Sequence, residues 1–113
     1  MEVRALVSNQ PVSPRKVRLV LERIRGLPVS QAVSVLEFLQ QPSAKIVLKA
    51  VKSAAANAEN NYNLNPDRLH VKRAVAGDAR TLKRFKARSR GRTAPILRRT
   101  AHIEIVVEAD EGI

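Results

Sequence analysis

The sequence predicts an α+β domain: a small antiparallel three-stranded sheet packed against three helices, with a long basic β-hairpin between the last two strands. Three observations carry this prediction. Short segments of alternating apolar and polar residues occur near the N-terminus, past the middle and near the C-terminus. Three stretches with helical apolar spacing lie together between the first and second of these segments, an order that suits helices covering one face of an antiparallel sheet. Finally, the 25 residues between Asp78 and Glu104 contain no acid and nine of the 21 Lys and Arg residues. A length of 113 residues suits one domain, 1–113, with 1–78 and 100–113 as its body and 79–99 as the basic arm.

Each element follows from local chemistry. Val3, Ala5 and Val7 alternate with Glu2, Arg4 and Leu6, giving a first strand that ends before Gln10 and Pro11. The first helix has Ser13 as N-cap and Pro14 at its first position, and Gly26 and Pro28 close it. Its apolar positions Val17, Val20, Leu21 and Ile24 form one face, while Arg15, Arg18, Glu22 and Arg25 line another. A second short helix from Ser30 offers Val33, Leu36, Phe38 and Leu39 to the core and stops at Gln41-Pro42, after which Ser43 caps a third. In that third helix Ala44, Val47, Leu48, Val51, Ala55 and Ala58 make the packing stripe, opposite Lys45, Lys49, Lys52 and Glu59. Two further strands follow. In Arg68 to Ala76, Leu69, Val71 and Val75 alternate with His70, Lys72 and Ala74, and in Ala101 to Ala109 the apolar set is Ala101, Ile103, Ile105 and Val107.

The formal net charge of +11 calls for a polyanionic partner. Nine of those charges fall in the acid-free segment, which connects two strands and is therefore expected to be a hairpin reversing near Gly91. About a dozen residues on each side, at about 3.3 Å per residue, would reach roughly 40 Å from the body. With like charges facing each other and little to bury, the arm is expected to be mobile when free and to order on its target. Arginine outnumbers lysine six to two between Thr81 and Arg99, and the planar guanidinium bonds phosphate bidentately. Nucleic acid is thus favoured over a membrane. Only Phe38, Tyr62 and Phe85 are aromatic, which disfavours a base-stacking sheet and leaves recognition of backbone and shape.

Other classes find little support. The histidines are His70 and His102 alone, no phosphate loop of the Walker type is present, and the acids are dispersed, so no catalytic residues, metal site, cofactor or small-molecule substrate is expected. The absence of cysteine excludes disulfides and thiolate metal sites. No uninterrupted apolar run exceeds three residues, so neither a signal peptide nor a membrane span is expected.

Three blocks, SPRKVRLVLERIRG, VKSAAANAENN and LKRFKARSRGRTAPILRRTAHIEIVV, occur in an order that resembles the bacterial family of large-subunit ribosomal protein twenty-two. The resemblance spans nearly the whole chain. It implies a cytoplasmic protein of the large ribosomal subunit, with a globular body on 23S-type rRNA, neighbouring ribosomal proteins around it, and a hairpin lining the nascent-polypeptide exit tunnel. Carried over by position, the RNA contacts fall on Arg15, Lys16, Arg18, Lys83, Arg84, Arg88, Arg90, Arg92 and Arg99, and the neighbouring cations Arg25, Lys86 and Arg98 are expected to join them. The tunnel-lining part of the hairpin falls on Leu82, Lys83, Arg84, Arg88, Ser89, Arg90, Gly91 and Arg92. Ala79 and Arg80 stand where members of that family commonly have Gly-Pro, and Ala87 replaces a frequent proline, so two rigid φ constraints are missing and the resemblance does not fix the arm's curvature. The alternative class is an architectural DNA-binding protein with basic β-arms, which would generally clamp the duplex with two arms, whereas this chain has one.

Overall fold

The structure, a computed structural model, describes residues 2–79, 82–87, 93–98 and 100–109, and for Asn9, 82–87 and 93–98 it describes the backbone alone. The elements run in the order β1 (Glu2–Gln10), α1 (Pro14–Ile24), α2 (Val29–Phe38), α3 (Pro42–Tyr62), a 3-10 turn (Pro66–Arg68), β2 (Leu69–Asp78), β3 (Leu82–Ala87), β4 (Thr93–Arg98) and β5 (Ala101–Ala109). β5 is the centre of an antiparallel sheet of order β1-β5-β2, while β3 and β4 form a separate two-stranded ribbon. The α+β architecture is as the sequence predicts. α3 lies on β1 and β5, α1 lies on β2, and α2 packs chiefly on α3.

The core forms where these apolar faces meet: Val17, Leu21 and Ile24 of α1, Val47 and Val51 of α3, and Ile103 and Ile105 of β5 are fully buried. α1 begins at Pro14 after Ser13, as read from the sequence, although the Ser13 side chain makes no capping bond. Gly26 adopts φ +84°, the left-handed region that glycine enters without a Cβ clash, and its N–H donates to Val71 O at 2.8 Å.

Several expectations are corrected. In α2 the buried residues are Val29, Ala32 and Leu36, whereas Phe38 is 85% exposed at the helix end, because its position falls off the stripe that faces α3. Pro42 does not merely stop α2; it occupies the first turn of α3, so the N-cap is Gln41 and Ser43 lies buried inside the first turn. The buried stripe of α3 includes Ala50 and Ala54, with Leu48 and Ala55 only partly covered, which rotates the expected face slightly toward the small residues.

The largest departure is in β2. Its register against β5 slips between Val71 and Arg73, a β-bulge at Lys72 that puts Lys72 and Arg73 both at the surface. Beyond the bulge the alternation inverts. Ala74 and Ala76 are buried, and Val75 is 45% exposed instead of joining the core.

The molecule measures 70 × 25 × 18 Å, with a radius of gyration of 17.1 Å against about 13 Å for a compact chain of this length. The body cannot account for the long dimension, since the 21 residues of α3 span only about 32 Å. The β3–β4 ribbon supplies it: its strands pair with each other and touch the body elements little. Its root continues the β2–β5 ladder, through Asp78 opposite Ala101 and Ala79 N–H donating to Thr100 O at 3.1 Å.

Candidate nucleic-acid interface

Burial of Val17, Val20, Leu21 and Ile24 leaves the opposite side of α1 to Arg15, Lys16, Leu19, Glu22 and Arg23, all exposed. Neither Arg15 nor Lys16 has a hydrogen-bond or ion-pair partner among the described residues, so both cations are available to a ligand. Arg18 and Arg25 are placed differently. Arg18 donates from Nε and Nη2 to Ala76 O at 3.1 and 3.0 Å, and Arg25 donates from Nη2 to Ala74 O at 2.8 Å.

These carbonyls lie on the edge of β2 that faces away from β5. The same edge is bonded to the α1–α2 connection through Gly26 N–H to Val71 O and Val71 N–H to Leu27 O, each 2.8 Å, and a bridge joins Pro28 to His70. Open strand edges invite pairing with other chains, and here α1 closes one with two guanidinium groups. Each arginine retains further N–H donors, since a guanidinium has five. The sequence signal for this role is the i, i+7 spacing of 18 and 25 beside the buried stripe, which charge alone did not reveal.

In the ribbon, the backbone register sets Leu82 opposite Arg98, Lys83 opposite Leu97, Arg84 opposite Ile96, and Lys86 opposite Ala94. No two cationic positions are directly opposed along this ladder. That corrects the expectation of like charges facing each other, because the register offsets the basic positions of β3 from Arg98. Arg88, Ser89, Arg90, Gly91, Arg92 and Arg99 lie outside the described residues.

The outer face of the sheet has a different character. Glu104 pairs with Arg73 at 3.3 Å and Arg4 at 3.7 Å, and Lys72 pairs with Glu108 at 2.9 Å and with Glu2. The hydrogen bonds to Lys72 hold the Glu2 and Glu108 carboxyls below the ordinary carboxylate range, and those carboxylates raise Lys72 in turn. The bulge makes this possible by presenting Lys72 and Arg73 side by side. Val106, opposite both Arg4 and Arg73, is only 2% exposed although it stands apart from the main core. Three acids thus balance three cations on this face, in a chain whose net charge is +11. Most of the uncompensated charge sits on α1 and in the 79–99 segment, with Lys45 and Lys49 on the outer side of α3.

His70 and His102 sit in β2 and β5, and no group of three or more metal-ligating side chains occurs among the described residues. Nor, among them, is any helix long and apolar enough to cross a membrane.

Comparison with known proteins agrees with this geometry. The family described as Ribosomal protein L22p/L17e matches residues 5–108. A large ribosomal subunit protein uL22 of Dehalococcoides mccartyi is 49% identical over 107 residues, covering 95% of this chain and 98% of the relative. The protein of that name from Clostridium novyi is 47% identical over 108 residues, covering 96% and 97%. That from Staphylococcus aureus is 46% identical over 107 residues, covering 95% and 92%.

Proposed function

The chain belongs to the L22p/L17e family of ribosomal proteins, and from that premise we propose that it is a structural, non-enzymatic component of the bacterial large ribosomal subunit in the cytoplasm. It binds large-subunit rRNA, supports assembly beside neighbouring ribosomal proteins, and lines the nascent-polypeptide exit tunnel with its hairpin. The observation that carries this reading is the basic ribbon standing clear of a body that does not need it for its core. The division of labour follows. The body, 1–78 and 100–113, docks through Arg15 and Lys16, with the remaining donors of Arg18 and Arg25 beside them. The arm, 79–99, carries Lys83, Arg84, Lys86, Arg98 and Arg99 toward rRNA and presents Leu82, Lys83, Arg84, Arg88, Ser89, Arg90, Gly91 and Arg92 at the tunnel.

The direct test is sedimentation of the tagged full chain in lysate. Co-migration with large subunits supports the reading, and a peak with nucleoid DNA overturns it. In vitro, six to ten phosphate contacts would cost about a thousandfold to a hundred-thousandfold in affinity between about 50 and 200 mM salt. A flat salt profile would refute phosphate-dominated binding.

A further inference from the structure

The first turns of α1 and α3 open on one cavity of about 510 Å³, lined by Ser13, Lys16, Leu19, Gln41, Pro42 and Ser43 among others. A helix N-terminus carries about half a positive charge together with unsatisfied N–H groups. Here two of them converge, from helices of 11 and 21 residues, and neither has an acid in its first turn or a side-chain cap. Among the described residues, the backbone N–H groups of Lys16 and Ser43 have no acceptor. The cavity therefore gathers backbone donors that have no intramolecular acceptor among the described residues.

A second observation points the same way. Ser43 is only 6% exposed and lines the cavity, yet its hydroxyl has no partner among the described residues. The hydroxyl oxygen is open to the solvent of the cavity, so an entering phosphate oxygen can take the place of water on it. The Lys16 ammonium adds a full charge at the rim. Beside these donors, Leu19, 63% exposed, offers an apolar wall.

We propose that this cavity is a phosphodiester site for the rRNA backbone: the phosphate sits between the two helix N-termini on the Lys16 and Ser43 N–H groups, the Ser43 hydroxyl and the Lys16 ammonium, with the attached ribose against Leu19. The site rests on the rRNA-binding reading above and assigns to the body a preorganised contact built mainly from backbone. It also explains why two good N-cap positions lack carboxylates, since a fixed anion there would exclude the phosphate.

Ser13→Asp and Gln41→Asp, made separately in the full chain, test this. Aspartate is a favoured N-cap and complements the helix dipole, so the thermal midpoint should hold or rise. Affinity for large-subunit rRNA should nevertheless fall about tenfold, with the log-log salt slope reduced by about one. Stability and binding moving in opposite directions is a result that a purely structural role does not produce. Wild-type affinity and slope in both variants overturn the site while leaving the rRNA reading intact; failure of the unmodified chain to bind rRNA overturns both. If either variant loses stability, amide shifts decide the matter. Titrating the unmodified chain with inorganic phosphate should move the Lys16 and Ser43 resonances saturably, and Ser43→Ala should weaken that response. Unmoved resonances overturn the site.

Discussion

Two of the four basic residues assigned to α1 should behave as fasteners of the fold and two as RNA ligands, and alanine substitution separates them. Arg18→Ala removes two charged N–H donors from Ala76 O, and Arg25→Ala removes one from Ala74 O. Hydrogen bonds from charged groups contribute about 1.5–3 kcal/mol net, and partial exposure places these at the lower end, because water can replace the lost donor. About 1–1.5 kcal/mol is expected for each. At about 4 °C per kcal/mol for a domain of roughly 100 residues, each substitution should lower the thermal midpoint by about 5 °C. The carbonyls are separate acceptors, so the double variant should come close to additivity, about 10 °C. Arg15→Ala and Lys16→Ala remove no intramolecular partner and should stay within about 0.5 kcal/mol of the parent, while lowering rRNA affinity and its salt slope. Circular dichroism melting of all four variants, paired with rRNA binding across a salt series, makes the comparison. Should Arg18→Ala and Arg25→Ala leave the midpoint unmoved and weaken only binding, the edge-closing role is refuted.

Further outcomes are specific. Leu21→Ala, at a fully buried position of α1, should cost about 2–5 kcal/mol by urea denaturation. Gly26→Ala should destabilise by about 1 kcal/mol because its φ is +84°, whereas Gly77→Ala, with open space around its Cβ, should be tolerated. Replacing 82–98 with a short turn should leave the body's melting nearly unchanged, since the ribbon touches it little, but should alter the response of assembled ribosomes to stalling peptides. For Glu2 and Glu108 the folded-state carboxyls are held below their ordinary value, so their contribution is present above about pH 4.5 and is lost as pH falls through the depressed range. Lys72 is raised, so its part is present below about pH 10.5 and is lost only as pH climbs beyond it. Added salt should flatten the acid-side loss, and Lys72→Met should remove it; an unchanged acid melt in that variant would contradict the assignment.

How far the sequence was legible depended on whether the governing interaction was local. α1 could be read because Pro14, the Val17–Ile24 spacing and Gly26 all act within a few residues of one another. The Lys72 bulge could not, since a strict two-residue alternation made Val75 look like core and Ala74 like surface. Only pairing with β5 reveals that the face changes. Phe38 misled for a related reason: hydrophobicity announced burial, but its place at the end of α2 left nothing to cover it. The left-handed Asn63, whose N–H closes α3 onto Ala58 and Glu59 carbonyls, passed unnoticed among several asparagines although only its conformation marks the helix end. In the candidate interface, charge identified the basic helix but could not sort its members. The cavity between α1 and α3 brings together residues nearly thirty positions apart, which no local pattern links.

The bonds from Arg18 and Arg25 to β2 also set a direction. Ala76 is three residues from Ala79, where the chain leaves the sheet for the ribbon, so α1 is fastened to the strand almost at the point of departure. A ligand that holds α1 therefore also holds the end of β2 from which the ribbon departs.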